Sequence, residues 1–126
     1  MKYTLGKRSL ERLEGVHPDL LRVVKRAIEI SLVDFAVLEG LRTKERQRKL
    51  MEAGSSWTMN SRHLTGHAVD LGAWVDNQVD WSWPLYDRIA VAMKQASQDL
   101  EIPIKWGGDW VVKDGPHFEL DRKVYP

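Results

Sequence analysis

The chain contains no cysteine. Disulfide staples and thiolate zinc sites are therefore excluded, and nothing in it depends on the redox state of its compartment. It also lacks any run of about 18 apolar residues, so no stretch reads as a membrane-spanning helix and no stable membrane insertion is expected. Residues Met1 to Leu10 carry basic side chains but no apolar h-region, so an ordinary secretory signal is not expected either. Excess charge of one sign is missing: 19 Lys and Arg against 18 Asp and Glu leave a formal net charge of +1. That balance argues against a nucleic-acid partner, whose phosphates call for a strong basic excess. There is no internal repeat and no low-complexity tract.

What remains is sufficient for one folded domain of 126 residues. A chain of that size withdraws roughly two thirds of its unfolded surface from water and needs no staples. Hydrophobic residues at 43% and charged residues at 29% give a globular balance rather than a disordered one. Six tryptophans are many for this length, so aromatic groove walls come into question beside core packing.

Residues 1–15 read as an extended or irregular arm, punctuated by Gly6 and Gly15, which Leu5, Leu10 and Leu13 could dock on the core. Pro18 suits the first turn of a helix, and Leu20, Val24, Ala27, Ile28 and Ser31 recur at helical spacing over 18–30. Asp34 to Gly40 reads as a short strand ended by glycine. Thr43 can cap a helix over 44–53 whose apolar content is thin and which therefore lies on the surface. A serine-rich loop over 54–62, with Trp57 in it, leads to a strand from Ala68 to Trp74 and a short return at Val79 to Trp81. Leu85, Ile89, Ala92, Met93, Ala96 and Leu100 give the cleanest amphipathic stripe, a helix over 83–100. Ile102 to Trp106 and His117 to Leu120 read as strands around a glycine-rich turn region. This order predicts an α+β domain, helices packed around a small, mainly antiparallel sheet.

Two segments carry chemistry. Ser61-Arg62-His63-Leu64-Thr65-Gly66-His67-Ala68-Val69-Asp70 holds His63 and Asp70, and Asp114-Gly115-Pro116-His117 holds a second histidine and a second carboxylate. A hydrolytic zinc site needs three protein ligands and one position open to water, and histidine nitrogen and carboxylate oxygen both suit the ion. A turn at Leu64-Thr65-Gly66 could bring His63 and Asp70 to a common point, with Gly66 permitting the tight path. His117 completes the set if the two strands are neighbours. Asp114, three residues earlier in a turn, can lie beside the metal without binding it, where a general base belongs. Zinc brings the pKa of its water to about 7, whereas an unperturbed aspartate sits near 3.9, a gap worth about 4 kcal/mol. Asp114 must then have a raised pKa or take the proton as attack proceeds. The second is expected, because a nearby cation lowers an aspartate. Arg42, between a strand end and a helix, is the candidate for stabilising the oxyanion, a contact typically worth ~3 kcal/mol.

Other residues keep a plain reading beside the functional one. His67 points opposite to Asp70 by strand parity and reads as structural or rim, and His17 beside Pro18 as a helix start. Glu119 shares parity with His117, so it either orients a ligand or is an ordinary strand carboxylate. Asp109 reads as a turn residue, while Trp106 and Trp110 suit either the groove or the core.

Ser61-x-His63-x-x-Gly66-x-Ala68-x-Asp70 followed by Asp114-x-x-His117 resembles the zinc DD-peptidase family, which has a Hedgehog/DD-peptidase-like fold. Gly40-x-Arg42-Thr43 with Gln47 is similar to that family's early motif, and Trp106-Gly107-Gly108-Asp109-Trp110 resembles its bacteriophage L-alanyl-D-glutamate endopeptidase branch. The resemblance runs from about Gly40 to Leu120, and either half of the motif alone would carry little weight. It implies Zn2+ bound by His63, Asp70 and His117, Asp114 as catalytic base, Arg42 on the oxyanion, and Ser61 and Gln47 in support. Only three residues separate Trp110 from Asp114, where some relatives carry a longer insertion, so no further ion site is read there.

The resemblance further implies a phage or prophage endolysin, a monomer that cuts the L-Ala–D-Glu bond of the peptidoglycan stem peptide. Residues 1–126 would be one zinc peptidase catalytic domain with no separate cell-wall-binding module, as is typical of lysins acting on a thin Gram-negative wall. It would accumulate in the host bacterial cytoplasm and reach the periplasmic cell wall through a holin-type pore. The nearest rival is a D-Ala-D-Ala carboxypeptidase with the same metal site. A mononuclear iron oxygenase fits the ligand types, but the usual His-x-Asp spacing is missing and Asp114 would have no task. A non-catalytic wall-binding module is the third alternative.

Overall fold

His17 and Pro18 open the first long helix for chemical reasons. The His17 ring Nδ1 accepts from the Asp19 amide at 3.1 Å, and proline gives up no hydrogen bond at the first helical position. The computed structural model describes residues 2–56 and 58–126, so Trp57 of the serine-rich loop lies outside the described residues. Among them the chain forms α1 (Lys7–Arg12), α2 (Pro18–Ile30), β1 (Phe35–Glu39), α3 (Lys44–Glu52), β2 (Ala68–Val75), β3 (Gln78–Asp80), α4 (Trp83–Leu100), β4 (Ile104–Trp106) and β5 (His117–Leu120). Single 3-10 turns occupy Arg62–Thr65 and Gly107–Asp109.

The sheet runs β1-β2-β5-β4, antiparallel throughout. Strand β3 returns along the distal end of β2 through Asp76 and Asn77, both at positive φ (51° and 63°), as a tight hairpin requires. Parity divides β2 cleanly. Val69, Leu71 and Ala73 join Phe118 and Leu120 of β5 in the core, packed with α2 (Leu20, Val23, Val24, Ala27) and α4 (Ile89, Met93, Ala96). Asp70 of β2, with His117 and Glu119 of β5, falls on the other face of the same strands. Helices α2 and α4 thus cover one side of the sheet and leave the other for the site. The expected α+β architecture is observed.

One element departs from expectation. The arm over 1–15 contains α1, which carries no apolar period: Leu10 is exposed, and the burial falls on Leu13 just beyond the helix end. What seats α1 is polar, since the Ser9 hydroxyl accepts from the Val37 amide at 3.0 Å. Helix α3 is also seated by polar contacts. Its one buried residue is Gln47, whose amide nitrogen donates to Ser56 Oγ at 2.7 Å and the Thr58 carbonyl at 2.5 Å.

Candidate active site

Register brings the two motifs together. Asp70 of β2 lies directly across from His117 of β5, and on its other side Glu39 of β1 pairs with it after a bulge at Leu38. Directly opposed residues on one face bring their Cβ atoms within about 5 Å. His63 comes from the 3-10 turn before β2, which Gly66 ends at φ 74°. A Cβ on Gly66 would meet the Gly15 carbonyl oxygen at 2.5 Å, so the backbone path there belongs to glycine. The ligand atoms of His63, Asp70 and His117 all lie within 4.8 Å of one another.

The hydrogen bonds assign the ring nitrogens. His63 Nδ1 lies 2.9 Å from the Gly40 carbonyl, which can only accept, so Nδ1 carries a proton and Nε2 faces Asp70 Oδ1 at 3.2 Å. His117 Nε2 lies 2.9 Å from Glu119 Oε1, leaving Nδ1 facing the same Asp70 oxygen at 3.3 Å. When both rings are neutral, two lone pairs and a carboxylate oxygen converge with nothing positive between them. A proton or a cation has to reside there, and two imidazole nitrogens with one carboxylate suit Zn2+. The outward acceptors on both rings are the arrangement a bound metal needs to hold its ligands in one tautomer.

The electrostatics of the metal-free cluster agree. Burial works to raise the Asp70 pKa, but the hydrogen bonds and charges of His117 and His63 outweigh it and hold the carboxyl well below the usual range. Burial alone would lower His117, yet its bonds to Asp70 and Glu119 push it up to about 9. Asp114 is raised, first by burial and then by the Asp70 carboxylate. That direction belongs to the metal-free cluster; a cation held by the three candidate ligands would act the opposite way.

Asp114 and Arg42 line the same groove as the three candidate ligands, a trough of about 750 Å3 whose walls include Arg46, Asn60, Trp81, Trp110 and Lys113. Arg42 is heavily engaged. Glu39 takes Nε and Nη2, Gln47 Oε1 accepts from Nη1 at 2.8 Å, and Ser61 Oγ lies 3.4 Å from Nη1. Of five guanidinium N–H groups, one on Nη2 is left, on the atom 3.9 Å from Asp70 Oδ2. Ser61 and Gln47 thus stand beside Arg42, where the sequence placed supporting residues. Of the two tryptophans left open, Trp106 is buried in the core, whereas Trp110 is exposed and packs its ring 5.1 Å from His117. His67 bonds to Thr65 Oγ1 and stacks near His17, away from the cluster.

Two residues near the site escaped the sequence reading. Glu39 reads as the end of a strand, and only the bulge turns it toward Arg42. Tyr86 belongs to α4 but lies outside the apolar stripe that the spacing picks out, although the fold buries it. Its buried hydroxyl has no hydrogen-bond partner among the described residues, and burial together with the Asp114, Asp70 and Asp80 carboxylates pushes its pKa up to about 12.

Fold and site together define an α+β domain with a cluster of two histidines and one carboxylate that could hold a metal ion, and a further carboxylate in the same groove. The chain belongs to the phage L-alanyl-D-glutamate peptidase family, whose model matches residues 1–126. It is 31% identical over 129 residues to the L-alanyl-D-glutamate peptidase of Escherichia phage T5, covering 99% of this chain and 94% of that one. It is also similar to the crystal structure of the Serratia marcescens L-Ala D-Glu endopeptidase ChiX. That match has 51% identity and a TM-score of 0.92 over 100% of this chain and 94% of the other. The vancomycin-resistance D,D-dipeptidase VanXYg, solved with a D-Ala-D-Ala phosphinate analogue, shares the fold. There the TM-score is 0.56 at 18% identity, over 83% of this chain and 50% of that one.

Proposed function

We propose that this chain is a zinc-dependent peptidase that hydrolyses the L-Ala–D-Glu bond of the peptidoglycan stem peptide. The observation that carries the proposal is the convergence of His63 Nε2 and His117 Nδ1 on one oxygen of Asp70, with Asp114 in the same groove. Family membership and the names of the T5 and Serratia relatives support the choice of bond.

When bound by His63, Asp70 and His117, zinc supplies Lewis acidity and lowers the pKa of a water from 15.7 to about 7. The chain's own groups do the rest. Asp114 takes the proton that the water gives up as its oxygen attacks the L-alanine carbonyl carbon, and returns it to the departing D-glutamate nitrogen. With the ion in place its positive charge would favour the ionised carboxylate, so Asp114 would take the proton as attack proceeds rather than beforehand. The remaining Nη2 proton of Arg42, on the atom 3.9 Å from Asp70 Oδ2, is the donor assigned to the charge that would develop on the carbonyl oxygen. Glu39 and Gln47 hold the guanidinium rigid, which is what electrostatic preorganisation needs. Action as a monomeric lysin, passing from the host bacterial cytoplasm to the periplasmic wall, belongs to the same proposal and rests on the family.

The test is digestion of purified Gram-negative sacculi by chelated, zinc-restored and Asp114→Ala protein, with new termini identified by mass spectrometry. A new D-glutamyl amine that appears only with zinc and wild-type Asp114 is expected. Released D-alanine would instead mark a carboxypeptidase, and undiminished cleavage by the chelated protein would end the metal reading.

A further inference from the structure

Arg62 and Glu119 lie beside the candidate ligands, yet the proposed reaction gives them no task. Glu119 is 6% exposed. Its Oε1 accepts from His117 Nε2 at 2.9 Å, while Oε2 faces Arg62 Nε at 3.7 Å and Arg122 Nε at 3.5 Å. Arg62 cannot drift: its Nη2 donates to the Leu120 carbonyl at 3.1 Å and the Tyr125 carbonyl at 2.8 Å. Its buried Nε has no hydrogen-bond partner among the described residues, and the Glu119 oxygen is the acceptor it faces. Arg122 is 65% exposed and free to swing into water, so the fixed member of the cluster is Arg62.

The connectivity gives this pair its meaning. Arg62 immediately precedes the ligand His63, and Glu119 follows the ligand His117 by two residues on the same strand face. One buried ion pair therefore ties together the two segments that must meet around the cation. An ionised carboxylate can only accept, so Glu119 keeps the proton on His117 Nε2 and leaves Nδ1 for the metal.

We infer that the Arg62–Glu119 pair positions His117, presenting it through Nδ1 and holding the two ligand-bearing segments in register. Neither residue touches substrate, so both are positioning residues. The inference rests on the metallopeptidase reading for its purpose.

Zinc dissociation constants by chelator competition test it, together with 15N spectra of the zinc-loaded histidines and melting of the metal-free protein. The variants are Glu119→Gln, Glu119→Ala and Arg62→Met. Removal of such an outer partner typically weakens metal binding 10–100-fold, and that loss is expected of Glu119→Ala. Glu119→Gln, whose amide oxygen still accepts from Nε2, should recover most of it, with Arg62→Met between the two. In the wild type the zinc-bound nitrogen of His117 should be Nδ1, and in Glu119→Ala that single assignment should be lost. For Glu119→Ala, kcat should fall with KM unchanged. If Glu119→Ala lowers the metal-free melting temperature but binds zinc within twofold of wild type through Nδ1, the role is merely structural and the inference fails. A wild type that binds no zinc removes the functional reading and this inference together, a result distinct from that one.

Discussion

In the metal-free protein His117 should act as a stabilising cation whose loss is visible in melting curves. Its pKa stands at about 9 against an ordinary value of 6.5, because Asp70 and Glu119 hold the protonated ring more strongly than burial disfavours it. The folded state thus binds a proton that the unfolded chain releases earlier. Stability from this source is complete below about pH 6.5 and lost progressively as pH rises to about 9. At 1.36 kcal/mol per unit, the span corresponds to roughly 3 kcal/mol. For a domain of this size that is on the order of 10 °C in melting temperature. His67, whose pKa burial lowers, acts in the opposite sense: its contribution is already constant above its unfolded value. Calorimetry in chelator from pH 6 to 9.5, beside a His117→Gln control, measures the effect. Zinc-saturated protein should show no such fall, since a ligating His117 is already neutral. Because zinc must expel the proton, its apparent affinity should rise about tenfold per unit over the same window. A metal-free melting temperature that moves by less than about 2 °C, or moves equally in His117→Gln, refutes the reasoning.

Asp114→Asn should retain zinc, by elemental analysis, and lose about 10²–10⁴-fold in kcat, the usual span for a general base. His117→Ala should lose both zinc and cleavage. Tyr86→Phe removes a buried hydroxyl without a partner, so its melting temperature should equal or exceed that of the wild type; a loss above about 1 kcal/mol would show that the hydroxyl is satisfied. Gly66→Ala forces a Cβ toward the Gly15 carbonyl at a φ of 74°; it should cost about 1–3 kcal/mol in denaturant melts and displace His63 enough to weaken zinc binding.

Long elements with a strong period were legible from residues alone. The stripe of α4 and the Pro18 start of α2 fall where the spacing put them. The candidate ligands were legible because each motif is local, and the two strands that carry Asp70 and His117 proved to be neighbours. What stayed hidden depends on contacts distant in sequence. Helix α1 is held by Ser9 on Val37, a bond 28 positions apart that no window can see. Arg42 could be placed beside the site, but not the capture of its guanidinium by Glu39, which follows from a bulge. The burial that raises Asp114 in the metal-free protein is tertiary and has no local signature in the sequence.

Helix α3 forms one wall of the groove, and a single buried amide, Gln47, is its chief mooring. The same side chain accepts from Arg42 Nη1 through Oε1 while its nitrogen reaches Ser56 and Thr58. One amide thus joins the helix, the loop behind it and the guanidinium that faces the cluster. Whatever disturbs the seating of α3 is therefore felt first at Arg42, and the groove wall and the proposed oxyanion donor share a single fastening.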